Sequence, residues 1–170
     1  MDSARKSAMA ALLLVLAGGL AAILGAWGFQ LIGGYAPCKL CLEQRVPYYI
    51  GLPVALVALA LVARGRVRGL TALLLVVVAA IFAYGAGLGV YQAGAEWDFW
   101  AGPSDCGGGA AIPGSAANML NALKSTRVVS CTEASWRMFG LSFAGWNAVV
   151  SAGLAVLALF ALVRGRRAAG

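Results

Sequence analysis

Four apolar runs, at residues 8–29, 46–62, 70–91 and 141–163, constrain this 170-residue chain more than anything else in it. Each is long enough to cross, as a helix, a hydrocarbon core about 30 Å thick, which takes between about 17 and 25 residues. Inside a bilayer every backbone N–H and C=O must be paired within its own segment or in a closed barrel, and these continuous Leu, Ala and Val runs lack the alternation of barrel strands. The expected fold is therefore all-α: an integral-membrane bundle of four transmembrane helices, forming one membrane domain over residues 1–170. With 62% hydrophobic and 11% charged residues, the composition excludes an ordinary soluble domain. The first run follows Arg5 and Lys6, as a signal peptide's would. Its apolar core exceeds the roughly 7 to 15 residues of a signal, and its removal would leave an odd number of spans, so it reads as a retained helix.

Charge then orients the bundle. Arg5 and Lys6 precede the first run, Arg64, Arg66 and Arg68 fill the short turn between the second and third, and Arg164, Arg166 and Arg167 follow the fourth. These clusters share one side and, set against Asp2, account for the formal charge of +7. The two loops on the other side, residues 30–45 and 92–140, balance Lys39, Arg45, Lys124, Arg127 and Arg137 with Glu43, Glu96, Asp98, Asp105 and Glu133. Basic loops stay in the cytoplasm, so both termini are expected inside and both neutral loops outside. The basic charge marks topology and anionic lipid, with no sign of nucleic-acid binding. All four cysteines, Cys38, Cys41, Cys106 and Cys131, fall in or beside the outer loops. That placement suggests an oxidising compartment, because disulfides persist outside the cytosol.

Along the chain, the first run ends in Trp27, Phe29 and Gln30, an interfacial aromatic belt, before Gly33, Gly34 and Pro37 break the helix ahead of Cys38. The start of the second helix has two readings. If it begins near Cys41, Pro47 falls inside and bends it; if it begins at Pro47, proline occupies a natural first position. In the third run, Gly85 and Gly89 are spaced for close approach of another helix. The loop at 92–140 is long for a compact protein, which marks it as functional or mobile. Trp97, Phe99 and Trp100 anchor one end and Trp136 and Phe139 the other, while glycines and prolines surround Cys106. Residues 116–124 have the pattern of a short helix lying on the membrane.

Cys38 and Cys41 form a Cys-x-x-Cys pair, which closes a small disulfide ring and tunes thiol reactivity in exchange enzymes. Helix from 41 to 45 would set Arg45 one turn from Cys41, where its charge and the helix amino terminus favour a thiolate. Cys41 is then the electron-releasing sulfur, with Gln30 a further candidate for the same site. Arg45 also has a plainer reading, a charge snorkelling to the interface. A zinc tetrathiolate is disfavoured: Cys106 and Cys131 do not repeat the Cys-x-x-Cys spacing, and the chain has no histidine. No metal is expected. Cys106 and Cys131 by themselves suit a loop staple worth about 3 kcal/mol. The glycine-rich chain around Cys106 and the second pair on the same face favour an exchanging disulfide instead.

Phe29-Gln30, then the run from Pro37 through Cys38, Cys41 and Arg45 to Pro47-Tyr48-Tyr49, resemble the DsbB disulfide bond formation proteins of bacterial inner membranes. So do Pro103-Ser104-Asp105-Cys106, Cys131, the stretch from Ser135-Trp136 to Leu141-Ser142, and Ala144-Gly145-Trp146-Asn147. The resemblance covers nearly the whole chain and implies an oxidoreductase that reoxidises a periplasmic thioredoxin-fold dithiol oxidase, DsbA-like, and reduces a membrane quinone, ubiquinone or menaquinone. It implies that Cys106 takes the mixed disulfide with the partner and that Cys131 passes electrons on. Cys38 and Cys41 form the membrane-edge pair, and Cys41 faces the quinone with Arg45. Two other readings remain beside it. A relative of vitamin K epoxide reductase is disfavoured because there the Cys-x-x-Cys is expected near a later span; a membrane scaffold would use both disulfides only as staples.

Overall fold

The structure, a computed structural model, describes residues 3–65, 69–102 and 132–167. Cys106, Cys131 and the segment 116–124 lie outside the described residues. Helix α1 spans Ser3–Leu31, a short α2 Lys39–Glu43, α3 Val46–Ala63, α4 Gly69–Glu96 and α5 Phe143–Arg167. A two-residue hairpin, β1 (Arg137–Met138) and β2 (Leu141–Ser142), precedes α5. The four long helices are apolar enough to cross a membrane, and the protein is a four-helix multi-pass membrane bundle.

Each long helix packs on two neighbours, α1 on α3 and α5, and α4 on α3 and α5, so the helices stand in a ring. The interior is built from Phe82, Leu12, Leu75, Val15, Val62 and Val78, all fully buried, with Ala11, Ala55, Ala58, Ala158 and Ala161 between them. Leu13, Leu24, Leu56, Leu73 and Val156 are exposed on the outer faces. That is the pattern of helices apolar on every side, one face on each other and one face for lipid. Small residues set how closely the backbones approach. A Cβ placed on Gly89 would lie 2.8 Å from both the Ala144 carbonyl oxygen and the Ala148 nitrogen of α5, and one on Gly85 would lie 3.2 Å from Pro47. The glycine spacing is thus used for packing against two different helices.

The ends of the helices position the site. α1 stops where Ile32 and Gly33 both donate to the Gly28 carbonyl and Gly34 turns at φ 68°. α2 and α3 are nearly one helix: Gln44 and Arg45 keep right-handed helical dihedrals between them, and Pro47 sits in the first turn of α3, where its missing N–H costs no bond. α4 does not stop with the apolar run at residue 91. It continues through Ala93, Gly94 and Ala95 to Glu96, the Trp100 ring packing directly over Gly94. It closes with Asp98 in the left-handed region at φ 59°, Asp98 donating to the Ala95 carbonyl and Phe99 to that of Gly94. This is the Schellman arrangement, with aspartate in the place glycine usually takes. α5 begins at Phe143, capped by the Ser142 hydroxyl, which accepts from the Gly145 N–H at 3.2 Å.

The hairpin is a feature that the residue pattern did not announce. Its turn is Phe139-Gly140, both at positive φ (53° and 84°), the type I′ geometry that joins two-residue hairpins. Phenylalanine is a poor residue for that position, and its ring is 89% exposed at the tip. At the opposite end of the bundle the Arg5 guanidinium donates to the Val62 and Ala63 carbonyls, closing the carboxyl end of α3.

Candidate redox site

Cys38 is the N-cap of α2, its sulfur accepting from the Cys41 N–H at 3.1 Å. The spacing of the pair across the first turn of a helix brings the two sulfurs to 2.6 Å, both as free thiols. A disulfide is about 2.05 Å long, so ring closure takes roughly half an ångström of movement. Cys38 is 1% exposed. Its hydrogen bond to the Cys41 sulfur, and its burial, hold the Cys38 thiol well above the usual thiol range. Cys41 is less enclosed and opens onto a cavity of about 330 Å³.

Helices α1, α3, α4 and α5 each contribute a wall. Ala22, Ile23, Phe29 and Val150 supply apolar surface, and Gln30, Gln44, Arg45, Tyr48, Gln92 and Asn147 supply polar atoms. Phe29, Tyr35, Trp136 and Phe143 form a ring cluster at its edge, with Phe29 4.8 Å from Phe143 and Trp136 stacked on Phe143 at 4.9 Å. Arg45 is only 8% exposed. Its guanidinium donates to Gln30 Oε1 at 2.7 Å and to the Ala26 carbonyl at 3.4 Å, and lies 5.3 Å from the Trp27 ring centre. Trp27 is itself fixed by a 2.9 Å bond to the Tyr49 hydroxyl. All three partners of the Arg45 charge are uncharged, so it remains able to act on an electron-rich group entering the cavity.

The structure brings Cys38, Cys41, Arg45 and Gln30 together at one end of the bundle. It also brings in residues that the sequence reading did not single out as site members. Gln92, on the added turn of α4, places Nε2 3.6 Å from the Cys41 sulfur, 3.8 Å from that of Cys38 and 3.3 Å from Glu96 Oε1. Its Oε1 accepts from Gln44 Nε2 at 2.5 Å. Gln44 Oε1 accepts in turn from Asn147 Nδ2 at 2.7 Å, and Asn147 Oδ1 from the Tyr48 hydroxyl at 2.7 Å, with Ser151 Oγ 2.9 Å from the same hydroxyl. Every link has one donor and one acceptor, so the amides are held in one orientation. The available signal was polar residues inside apolar runs, since such groups in a membrane bundle face its interior and mark sites. Asn147 and Ser151 lie one turn apart in the fourth run, and Gln92 directly follows the third.

A closely spaced dithiol, with Cys38 buried and Cys41 opening onto a cavity beside a cation, suits thiol–disulfide exchange coupled to a small acceptor. The family model described as disulfide bond formation protein DsbB matches residues 8–161. Neither a search of curated proteins nor one of solved structures gave a match. Since that model spans all four membrane helices and the dithiol between the first two, the chain belongs to the DsbB family of membrane disulfide bond formation proteins.

Proposed function

We propose that the protein is a protein-disulfide:quinone oxidoreductase of the bacterial inner (cytoplasmic) membrane, with both termini in the cytoplasm and its cysteines facing the periplasm. A thiolate of a reduced DsbA-like thioredoxin-fold oxidase attacks Cys106 of the Cys106–Cys131 disulfide and releases Cys131 as a thiolate. The partner's second thiol then attacks the mixed disulfide, leaving the partner oxidised and Cys106 and Cys131 reduced. The Cys106–Cys131 dithiol then reduces Cys38–Cys41, and the latter pair delivers two electrons to ubiquinone or menaquinone from the membrane pool. Each transfer between cysteines is thiolate attack on a disulfide sulfur.

The observation that carries this reading is the Cys38–Cys41 dithiol, 2.6 Å between sulfurs, opening through Cys41 onto the 330 Å³ cavity. The residues there fit a quinone. The volume is at the lower end of the roughly 300 to 1,000 Å³ typical of small-molecule sites, and the walls are apolar with a few convergent polar groups. Arg45 and Gln30 would hold one edge of the ring, and Asn147, Gln44 and Tyr48 offer polar atoms on another wall. A bound quinone would supply an acceptor for two electrons and two protons. The protein's own part is to keep Cys41 against the cavity, set the Arg45 charge beside it, and exclude water behind the Phe29, Tyr35, Trp136 and Phe143 rings. Purified protein mixed with a reduced thioredoxin-fold oxidase and a soluble quinone is expected to bleach the quinone absorbance. Unchanged absorbance with wild type overturns the reading, and Cys41→Ser is expected to abolish the signal.

A further inference from the structure

An amide can offer a sulfur either its N–H or its carbonyl oxygen, and only the N–H favours a thiolate. Gln92 is 3% exposed, and which end it turns to the cysteines is dictated from the far side of the bundle interior. The Gly85 carbonyl can only accept, so Asn147 of α5 turns Nδ2 toward it at 3.4 Å and Oδ1 toward the Tyr48 and Ser151 hydroxyls at 2.7 and 3.4 Å. The same Nδ2 donates to Gln44 Oε1 at 2.7 Å, which leaves Gln44 Nε2 to donate to Gln92 Oε1. Gln92 is then left with its N–H groups on the sulfur side, Nε2 lying 3.6 Å from the Cys41 sulfur and 3.8 Å from that of Cys38. Its Oε1, already accepting from Gln44, is farther from the Cys41 sulfur at 3.9 Å. Reversing one amide reverses all three and sets the Asn147 carbonyl against the Gly85 carbonyl, two acceptors face to face.

We infer that Gln92 holds the Cys41 thiolate, the amide relay from Asn147 through Gln44 aiming its N–H at the sulfur. Two hydrogens serve three acceptors: one goes to Glu96 Oε1 at 3.3 Å and the other is shared by the two sulfurs. Three charged or titratable groups bear on Cys41 among the described residues. Cys38 donates its S–H to the Cys41 sulfur at 2.6 Å. Arg45 lines the same cavity from the start of α3. Glu96 of α4 brings a negative charge that opposes a thiolate. Against that charge a donor already fixed in place is effective, because it needs no reordering when the sulfur ionises. Ionisation breaks the Cys41 S–H bond and gives its proton to the medium, and Gln92 carries none of it. Gln92 touches the reacting sulfur and is a catalytic residue; Gln44 and Asn147 act through it and are positioning residues.

The use of that thiolate as an electron donor rests on the proposed quinone-linked reading, whereas its stabilisation does not, and the test separates the two. The full-length chain carrying Cys106→Ser and Cys131→Ser is reduced and alkylated with iodoacetamide across a pH series, peptide mass mapping following Cys41 apart from Cys38. The thiolate displaces iodide, so the rate rises with pH and levels off once Cys41 is ionised. Gln92→Met keeps an unbranched side chain and removes the donor. It is expected to displace the levelling upward by about one pH unit and to slow Cys41 about tenfold below it, the scale of a lost hydrogen bond to a charged group. The rate above the levelling should be undiminished, since a thiolate of higher pKa is no less nucleophilic. Asn147→Leu keeps Gln92 but frees Gln44 and Gln92 to turn, and should displace the levelling the same way by a smaller amount. A purely structural role would change the rate at every pH and leave the levelling where it is. Thermal unfolding checks each variant, and Gln92→Leu serves where Gln92→Met folds poorly. A levelling unmoved in the folded Gln92 variants overturns the assignment, and one unmoved in Asn147→Leu overturns the relay. Soluble quinone left untouched by the same reduced protein with Gln92 intact overturns the quinone-linked reading alone, and the alkylation profile still decides Gln92.

Discussion

Replacing Arg45 by methionine separates what this residue does for the fold from what it does for the chemistry. On the stability side two effects oppose. The substitution deletes a 2.7 Å charge-assisted bond to Gln30 and a cation–π contact with Trp27, worth about 1.5–3 and about 1–2 kcal/mol respectively. The 3.4 Å bond to the Ala26 carbonyl is long and adds little. Against this, a guanidinium only 8% exposed carries a desolvation penalty of several kcal/mol that methionine does not. The unbranched thioether also fills much of the same space. The balance is a change of about 1–2 kcal/mol of either sign, so the unfolding midpoint in detergent should move by only a few degrees. Nothing offsets the loss in the reaction. A charge-assisted interaction of about 2–3 kcal/mol with an electron-rich acceptor disappears, which is about 30- to 150-fold in rate. Stopped-flow quinone reduction by pre-reduced protein measures the rate, and thermal unfolding of the same samples measures the fold. Arg45→Lys, which keeps the charge without the planar fork, should fall between wild type and Met. Wild-type rates in Arg45→Met, or a loss of rate matched by loss of folded protein, refute the reasoning.

Gly89→Ala drives a Cβ to within 2.8 Å of two backbone atoms of α5 and should cost about 1–3 kcal/mol in unfolding experiments. Gly87→Ala, where a Cβ meets nothing within 4 Å, is the neutral or stabilising control. Phe139→Asn puts the residue preferred by a type I′ turn at φ 53° and should raise stability by about 0.5–1 kcal/mol, read as a higher unfolding midpoint. Thiol alkylation followed by peptide mass mapping should show Cys38 reacting far more slowly than Cys41. Because the thiolate is the reactive form and the bond to Cys41 and burial hold the Cys38 thiol well above the usual thiol range, its rate should still climb about tenfold per pH unit where an ordinary thiol levels off.

Much of the architecture was legible because lipid leaves few options. Long apolar runs must be helices, and the basic clusters around Arg5, Arg64 and Arg164 are expected to share an end; the Arg5 bonds to the last turn of α3 bring the first two together. Pro47 was ambiguous from sequence because its two meanings depend on where the helix begins; a short α2 followed by a new first turn makes it a start signal. The polar half of the site was harder. Hydropathy ends the third span at Tyr91, yet α4 runs on through Gly94 to Glu96 and delivers Gln92 to the cysteines. The amide chain from Gln92 through Gln44 to Asn147 joins three helices, and such pairing is a tertiary fact that no single run displays. The hairpin escaped notice because Phe139-Gly140 lacks the Asn-Gly or Asp-Gly signature that its geometry favours.

The central claim is that electrons leave the protein through Cys38 and Cys41 into a quinone. The most direct measurement mixes the fully reduced protein, alone and without oxygen, with one equivalent of soluble quinone. Quinone absorbance and the state of each cysteine, by trapping and mass spectrometry, are then followed together. Quinone loss in step with closure of the Cys38–Cys41 disulfide is the predicted result. Quinone that stays oxidised, or that is reduced while Cys38 and Cys41 remain thiols, contradicts the account.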